Sequence, residues 1–329
     1  MTSSRAAAEA PSEHPSTGTA TTPVSREGLG ALVVALAVLW QGIGTGVVGH
    51  VVAPEHSVLT TATAFLVAAV VGVAGWQLDG LRRGGRPQAA PLLARIGLRD
   101  LLLVNGVTAG AFGLFYIAAT LIAPTAASVL EVGIGPVVVL LVTWRAVRHR
   151  AAAWVHPLLV LALSGTTATM ILVEASRAGG DAGRLLLGTL LCLAAGICAV
   201  GVLLVSKVMA SRGILAWEIS AVRFHLVWVL GLALTVPGAV EAGLSAGELA
   251  GIVLVGAAAI AGPILLLQWG VTLAKTLHAA LLLACLPAVV LAADLVLGAS
   301  FPLLVVAGVV GIVLVSVFST VRDRRQAAG

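Results

Sequence analysis

Residues Leu121 to Val142 read LIAPTAASVLEVGIGPVVVLLV. One ionisable residue, Glu131, stands in an otherwise apolar and small-residue run, long enough to cross ~30 Å of hydrocarbon as a helix. Pro124 suits the first turn of a new helix. The nearly unbroken apolar stretch from Leu101 to Thr143 therefore divides at Ala123-Pro124-Thr125 into two antiparallel spans.

The same pattern recurs along the chain. Apolar segments fall at 29–52, 58–78, 98–121, 125–144, 153–173, 185–206, 217–237, 248–269, 276–297 and 302–321. Each approximates the ~20 residues of a membrane-crossing helix. None alternates polar with apolar as a membrane barrel strand does. Hydrophobic residues make up 59% of the chain and charged residues 10%, with a mean hydropathy of +1.09. A soluble domain carries roughly 25% charged residues, so this chain lacks the polar surface to fold in water. The expected fold is an all-α polytopic membrane protein with ten transmembrane helices.

Charge orients it. With a cytoplasmic N-terminus, the inside segments hold 16 of the 19 Lys and Arg residues, the outside segments hold Arg177 and Arg184, and Arg223 lies within a span. This is the positive-inside bias, and it places both termini in the cytoplasm of a cell-membrane protein. The net charge of +5 then reflects topology and anionic inner-leaflet lipid as partner, with no nucleic acid implied. Residues 1–27 form a Ser/Thr/Ala/Pro-rich cytoplasmic tail without an apolar core, and 322–329 a basic C-terminal tail.

The halves 28–175 and 184–321 resemble each other. PTAASVLEVGIGP (Pro124 to Pro136) parallels KTLHAALLLACLP (Lys275 to Pro287), with Thr125 matching Thr276, Leu130 matching Leu281 and the closing prolines coincident. Five spans per half invert the second copy. Two inverted five-helix repeats are a recurrent transporter construction, with the substrate site near midplane.

These segments carry a family resemblance. The hairpin LFYIAATLIAPTAASVLEVGIGP (Leu114 to Pro136) resembles the EamA-type ten-helix members of the drug/metabolite transporter superfamily, most closely the threonine/homoserine exporter-like branch. That branch has a similar aromatic pair, hairpin proline and acidic residue before a Gly-Pro. AVRF (Ala221 to Phe224) resembles the family's Arg-Phe near the start of the second helix of a repeat; the first repeat reads Thr63-Ala64-Phe65 there. The family's Gly-Glu near the end of the fourth helix of a repeat is replaced by Thr143-Trp144-Arg145 and Leu297-Gly298-Ala299. The resemblance implies a secondary transporter, with helices 1–4 and 6–9 of the ten around the solute path.

Glu131 lies seven residues past Pro124, ~10 Å below the outer surface at 1.5 Å per residue. Thr125, Ser128 and Gly135 share its helical face, a small polar stripe unsuited to lipid. Intramembrane acids mark substrate or proton paths, so Glu131 either binds a substrate ammonium group or carries a coupled proton; an interhelical hydrogen bond is the structural alternative. Tyr116 sits eight residues before Pro124, at Glu131's depth, and shares one helical face with Asn105, Ala109 and Phe112; it either hydrogen-bonds the carboxyl, floors a substrate pocket or serves as an interfacial belt aromatic. Trp40-Gln41 lies near the middle of the first span. The candidate substrate-binding set is Glu131, Tyr116, Trp40, Gln41 and Ser128. Arg223 reads as a snorkelling arginine, Gln268 as interfacial, and His278 and Asp294 as solvated helix ends. Trp76, Trp144, Trp154, Trp217 and Trp269 read as belt residues. Gly308 and Gly311 in the last span offer helix packing or a homodimer contact.

Cys192, Cys198 and Cys285 lack metal or disulfide spacing. No HExxH or Walker loop is present, so neither enzyme chemistry, a cofactor, a metal nor direct ATP use is expected. The expected partners are a small-molecule substrate and a coupled proton. A membrane-embedded scaffold or enzyme without solute flux is the alternative.

Overall fold

The computed structural model describes residues 26–84, 89–142, 144, 152–274, 279 and 282–328, and among them every regular element is helical. Helix α1 spans Arg26–Val51 and leads through a 3-10 turn, Pro54–His56, into α2, Ser57–Arg82. A short α3, Ala89–Ile96, precedes α4, Leu98–Ala119. Then follow α5 (Pro124–Val142), α6 (Ala152–Arg177), α7 (Ala182–Ser211), α8 (Ala216–Glu241) and α9 (Ala246–Leu273). The chain closes with α10 (Leu286–Val296) and α11 (Leu303–Ala328).

Eight of these helices, α1, α2 and α4 to α9, are long and apolar enough to cross a membrane. At 1.5 Å per residue even the 19-residue α5 reaches ~28 Å. The ninth expected span is seen as the shorter α10; residues 275–278, 280 and 281 lie outside the described residues, as do 1–25, Arg145, Arg148 and Arg150. The apolar part of α11, Leu303–Phe318, is also short.

The expected break at Pro124 is where α5 begins. The expected loop between the second and third spans instead contains α3, which Gly97 joins to α4 at φ 79°, a left-handed conformation that suits glycine. Helix α3 is amphipathic: Leu92 and Ile96 pack with Met209, Ile214 and Ile219, while Arg95 donates to Glu218 at 3.0 Å and to the Gly213 carbonyl at 3.1 Å. Arg212 pairs with Asp100 on the same side. Hydropathy averaged over a loop hides so short an apolar stripe. Arg82, Arg83, Arg95, Arg99 and Arg212 thus gather at one end of the bundle, its basic face.

Helix α1 packs along α9 and α10; α7 packs along α4 and α5. Helix α2 packs on α8, α6 on α11, α5 on α6, and α10 on both α5 and α11. Exchanging α1, α2, α4, α5 and α6 with α7, α8, α9, α10 and α11 respectively returns this same set of pairs. Lipid offers no hydrophobic drive between helices, so close contact must come from small residues. A Cβ at Gly30 would meet the backbone of Leu273 and Ala274, one at Gly44 the backbone of Ala259. Gly308 faces Thr167 and Gly311 faces Leu163, so both glycines of the last span serve packing within the chain. Outward, Leu32, Leu36, Leu39 and Ile43 of α1 form an exposed apolar stripe, the surface acyl chains solvate.

Three spans are irregular. Helix α4 widens to a π-helical turn at Ala109–Gly113 after 11 α-helical residues, and α9 does the same at Ala257–Ala261, again after 11. Helix α8 breaks between Arg223 and His225, with Phe224 at the joint. A break in hydrocarbon is tolerated only where other groups satisfy the freed backbone. Asn105 of α4 does this: its amide donates to the Val222 carbonyl at 2.7 Å, and its carbonyl accepts from the Leu226 N–H at 3.2 Å. The His225 ring lies 2.8 Å from the Ala221 carbonyl. The π turn also ends the expected single face: Asn105 clamps α8, while Tyr116 points to α1 and α5.

Candidate functional site

Glu131 is on the second turn of α5, where α7 comes close because Gly196 has no side chain to meet the Glu131 backbone. It lies within electrostatic reach of Tyr116 on α4 and Cys192 on α7, both of which are fully enclosed. Glu131 itself is partly exposed. Its neighbours come from α4 and α7, so Glu131 is set among helices rather than on the lipid-facing surface. The Tyr116 hydroxyl faces Thr45 of α1, and Tyr116 stacks edge-on with Phe115 at 5.3 Å. Gln41, one turn before Thr45 on α1, is 7% exposed, and its Oε1 has no hydrogen-bond partner. Ser128 is fully buried, donating to the Thr125 carbonyl at 2.9 Å.

Of the five expected residues, Glu131 and Tyr116 are within reach of each other, and Gln41 and Ser128 are buried on α1 and α5. Trp40 is not buried. It is 44% exposed, its ring against Gly262 of α9. Consecutive helical residues point about 100° apart, so Trp40 and Gln41 cannot share the inner face.

A second polar group was missed. Asp294, expected at a solvated helix end, is 1% exposed. It accepts from the Thr125 hydroxyl at 2.5 Å and from the Thr125 backbone N–H, and His50 of α1 lies 3.7 Å away. The first N–H groups of a helix have no partner within it. Asp294 thus caps α5 from another helix, tying α1, α5 and α10 together at the end opposite the basic face.

A third group also departs from expectation. Arg223, expected to snorkel, is 3% exposed, and Gln268, expected at the interface, 2%. Arg223 donates to Gln268 Oε1, which also accepts from Ser206 at 3.4 Å. The guanidinium carbon lies 4.7 Å from the Phe224 ring centroid and 6.0 Å from that of Phe112, a cation–π arrangement. Phe65 lies 5.2 Å from Phe112 and 5.5 Å from Phe224. The break in α8 explains the miss: it re-aims the chain at Arg223, so distance along a straight helix no longer gives side-chain reach. An arginine at the centre of a span costs about 2.5–3.5 kcal/mol on insertion scales, and here its contacts offset that with aromatic faces and one amide.

The described residues hold no cluster of metal-ligating side chains, and no disulfide joins Cys192, Cys198 or Cys285. A cavity of about 620 Å³ lies apart from Glu131, between α2, α3, α4 and α8, with Asn105 and His225 among an otherwise apolar lining.

No protein-family model matches the chain, and no curated protein does. A solved crystal structure of another protein is similar over 91% of this chain and 98% of its own, at 21% identity and a TM-score of 0.56. That likeness extends to the fold. The class reached here is an all-α protein with eight helices fit to cross a membrane and buried polar side chains among them.

Proposed function

We propose that this chain is a secondary transporter that exports small metabolites, amino acids or related compounds, across the cytoplasmic membrane. One observation carries the reading: Glu131 is an acid within a span, with Tyr116 of α4 and Cys192 of α7 in electrostatic reach and no cation beside it among the described residues. An intramembrane acid is costly, and such acids mark substrate or proton paths. Gln41 Oε1, without a partner on the facing helix, adds an acceptor for a donor from a solute.

The transporter has ten spans in two inverted five-helix repeats, 28–175 and 184–321, and both termini in the cytoplasm. The larger packing pairs are invariant under exchange of the halves, which supports this, as do the π turns that follow 11 α-helical residues in both α4 and α9. Phe65 and Phe224, equivalent in the two repeats, meet each other. The EamA-type resemblance of the Glu131 hairpin points the same way, and proton coupling through Glu131 is part of the proposal.

The test is flux. Purified protein in proteoliposomes loaded with labelled neutral amino acids should release them when a pH gradient is imposed. Glu131→Gln keeps shape and hydrogen bonding, and should insert normally while lowering flux at least tenfold. Unaltered flux in Glu131→Gln at every pH would reduce Glu131 to an interhelical contact.

A further inference from the structure

Arg223 is an enclosed cation with no anion beside it among the described residues. Among the described residues the ion pairs of Arg and Lys are Arg83 with Asp79, Arg95 with Glu218, Arg177 with Glu174 and Arg212 with Asp100. Its polar partner is the neutral Gln268, which also receives the Ser206 hydroxyl. Both hydrogen bonds converge on Gln268 Oε1, and this fixes the amide orientation, because a flip would turn its N–H groups toward the donors of Arg223. With Oε1 occupied, the donors left over are Arg223 Nε and Gln268 Nε2, both buried and both without a partner. A buried polar group without a partner is rare in a folded protein and asks for an explanation. Here two of them occur together, both are donors, and a positive charge accompanies them. Such a set is complementary to an oxyanion: a planar guanidinium edge and an amide matching the two oxygens of a carboxylate.

We propose that Arg223 and Gln268 form a carboxylate-binding subsite, walled by Phe112 and Phe224. The assignment rests on the transport reading for the identity of the solute: the carboxylate belongs to the exported molecule. Gln268→Glu is the internal test of the chemistry, since it would place a carboxylate against Arg223 permanently and occupy the subsite. The elements around it carry irregular joints. Arg223 ends the first segment of the broken α8, Phe112 is in the π turn of α4, and Gln268 lies in the segment of α9 just past its π turn. Substrate access through these joints needs no regular helix to be broken.

The experiment uses the full chain in detergent, melted at constant ionic strength with sodium chloride, sodium benzoate or benzamide. Benzoate should raise the apparent melting temperature relative to chloride, and benzamide should not. Arg223→Gln and Gln268→Glu should each weaken the apparent benzoate affinity at least tenfold, and Arg223→Lys should retain part of it. The Gln268→Glu variant guards against an Arg223→Gln chain that fails to fold. Equal stabilisation by benzoate and benzamide, or an unchanged benzoate response in Gln268→Glu, would overturn the subsite. Stabilisation by phosphatidylglycerol with none by benzoate would also overturn it, by assigning the donors to a lipid headgroup. Flux is read separately. A benzoate response that depends on Arg223, without any amino-acid flux, would sink the transport reading and leave the anion site standing.

Discussion

At the scale of single residues, the buried polar groups divide by what their hydrogen bonds hold in place. Asp294 has a structural task, because it supplies acceptors to an α5 terminus that would otherwise keep unpaired N–H groups. Asp294→Ala should destabilise by roughly 1–3 kcal/mol, the range for a buried group left without its partner. Asp294→Asn keeps an acceptor and should retain most of the stability. Melting of the two variants side by side checks this; equal loss in both would mean that the charge, not the cap, is what matters. Glu131 is different, since its loss should be read in flux rather than in melting. The depth of Glu131 and Tyr116 was legible in the sequence, because each is a countable distance from Pro124. Azimuth was less so. Trp40 and Gln41 are adjacent in sequence and face different surroundings, and only the neighbours of α1 decide which one is inside. Likewise, nothing in the sequence near Asp294 announces that α1 and α5 cover it.

At the scale of elements, regular spans were legible and irregular ones were not. Hydropathy, proline and glycine punctuate locally, so the start of α5 at Pro124 and its separation from α4 follow from the sequence alone. A π turn inserts one residue's worth of rotation without altering composition; Ala109–Gly113 and Ala257–Ala261 are as small and apolar as their flanks. The break in α8 left a fainter trace: a lone Asn105 in one span and His225 beside Arg223 in another. Asn105→Leu should unpair the Val222 carbonyl and the Leu226 N–H together, at about 1–3 kcal/mol for each group that finds no new partner. The expected result is a markedly lower apparent melting temperature with normal membrane insertion. Unchanged melting in Asn105→Leu would show that the α8 joint holds without its clamp.

At the scale of the whole molecule, the orientation proposed from charge has a direct check. In a background with Cys192, Cys198 and Cys285 replaced, single cysteines at Glu55 and Glu241 should react with an impermeant thiol reagent added to intact cells. One at Arg83 should react only after lysis. External labelling at Arg83 would reverse the orientation. The same experiment tests parity, since Glu55 and Glu241 lie in opposite halves and share a side only if an even number of spans separates them. That the chain is built from long apolar helices was legible, because hydropathy and span length are summed over many residues. The turn at Ala284 and Cys285 that precedes α10 was not, because those residues are as apolar as their flanks.

The Asn105 clamp has one more consequence, for amide hydrogen exchange. Most backbone N–H groups in a span are protected by a carbonyl of their own helix, and they exchange only when that helix unwinds. The Leu226 amide instead donates to a side chain of α4. Its exchange rate follows the separation of α4 from α8, so this single amide reports a movement between helices that its neighbours along α8 do not register.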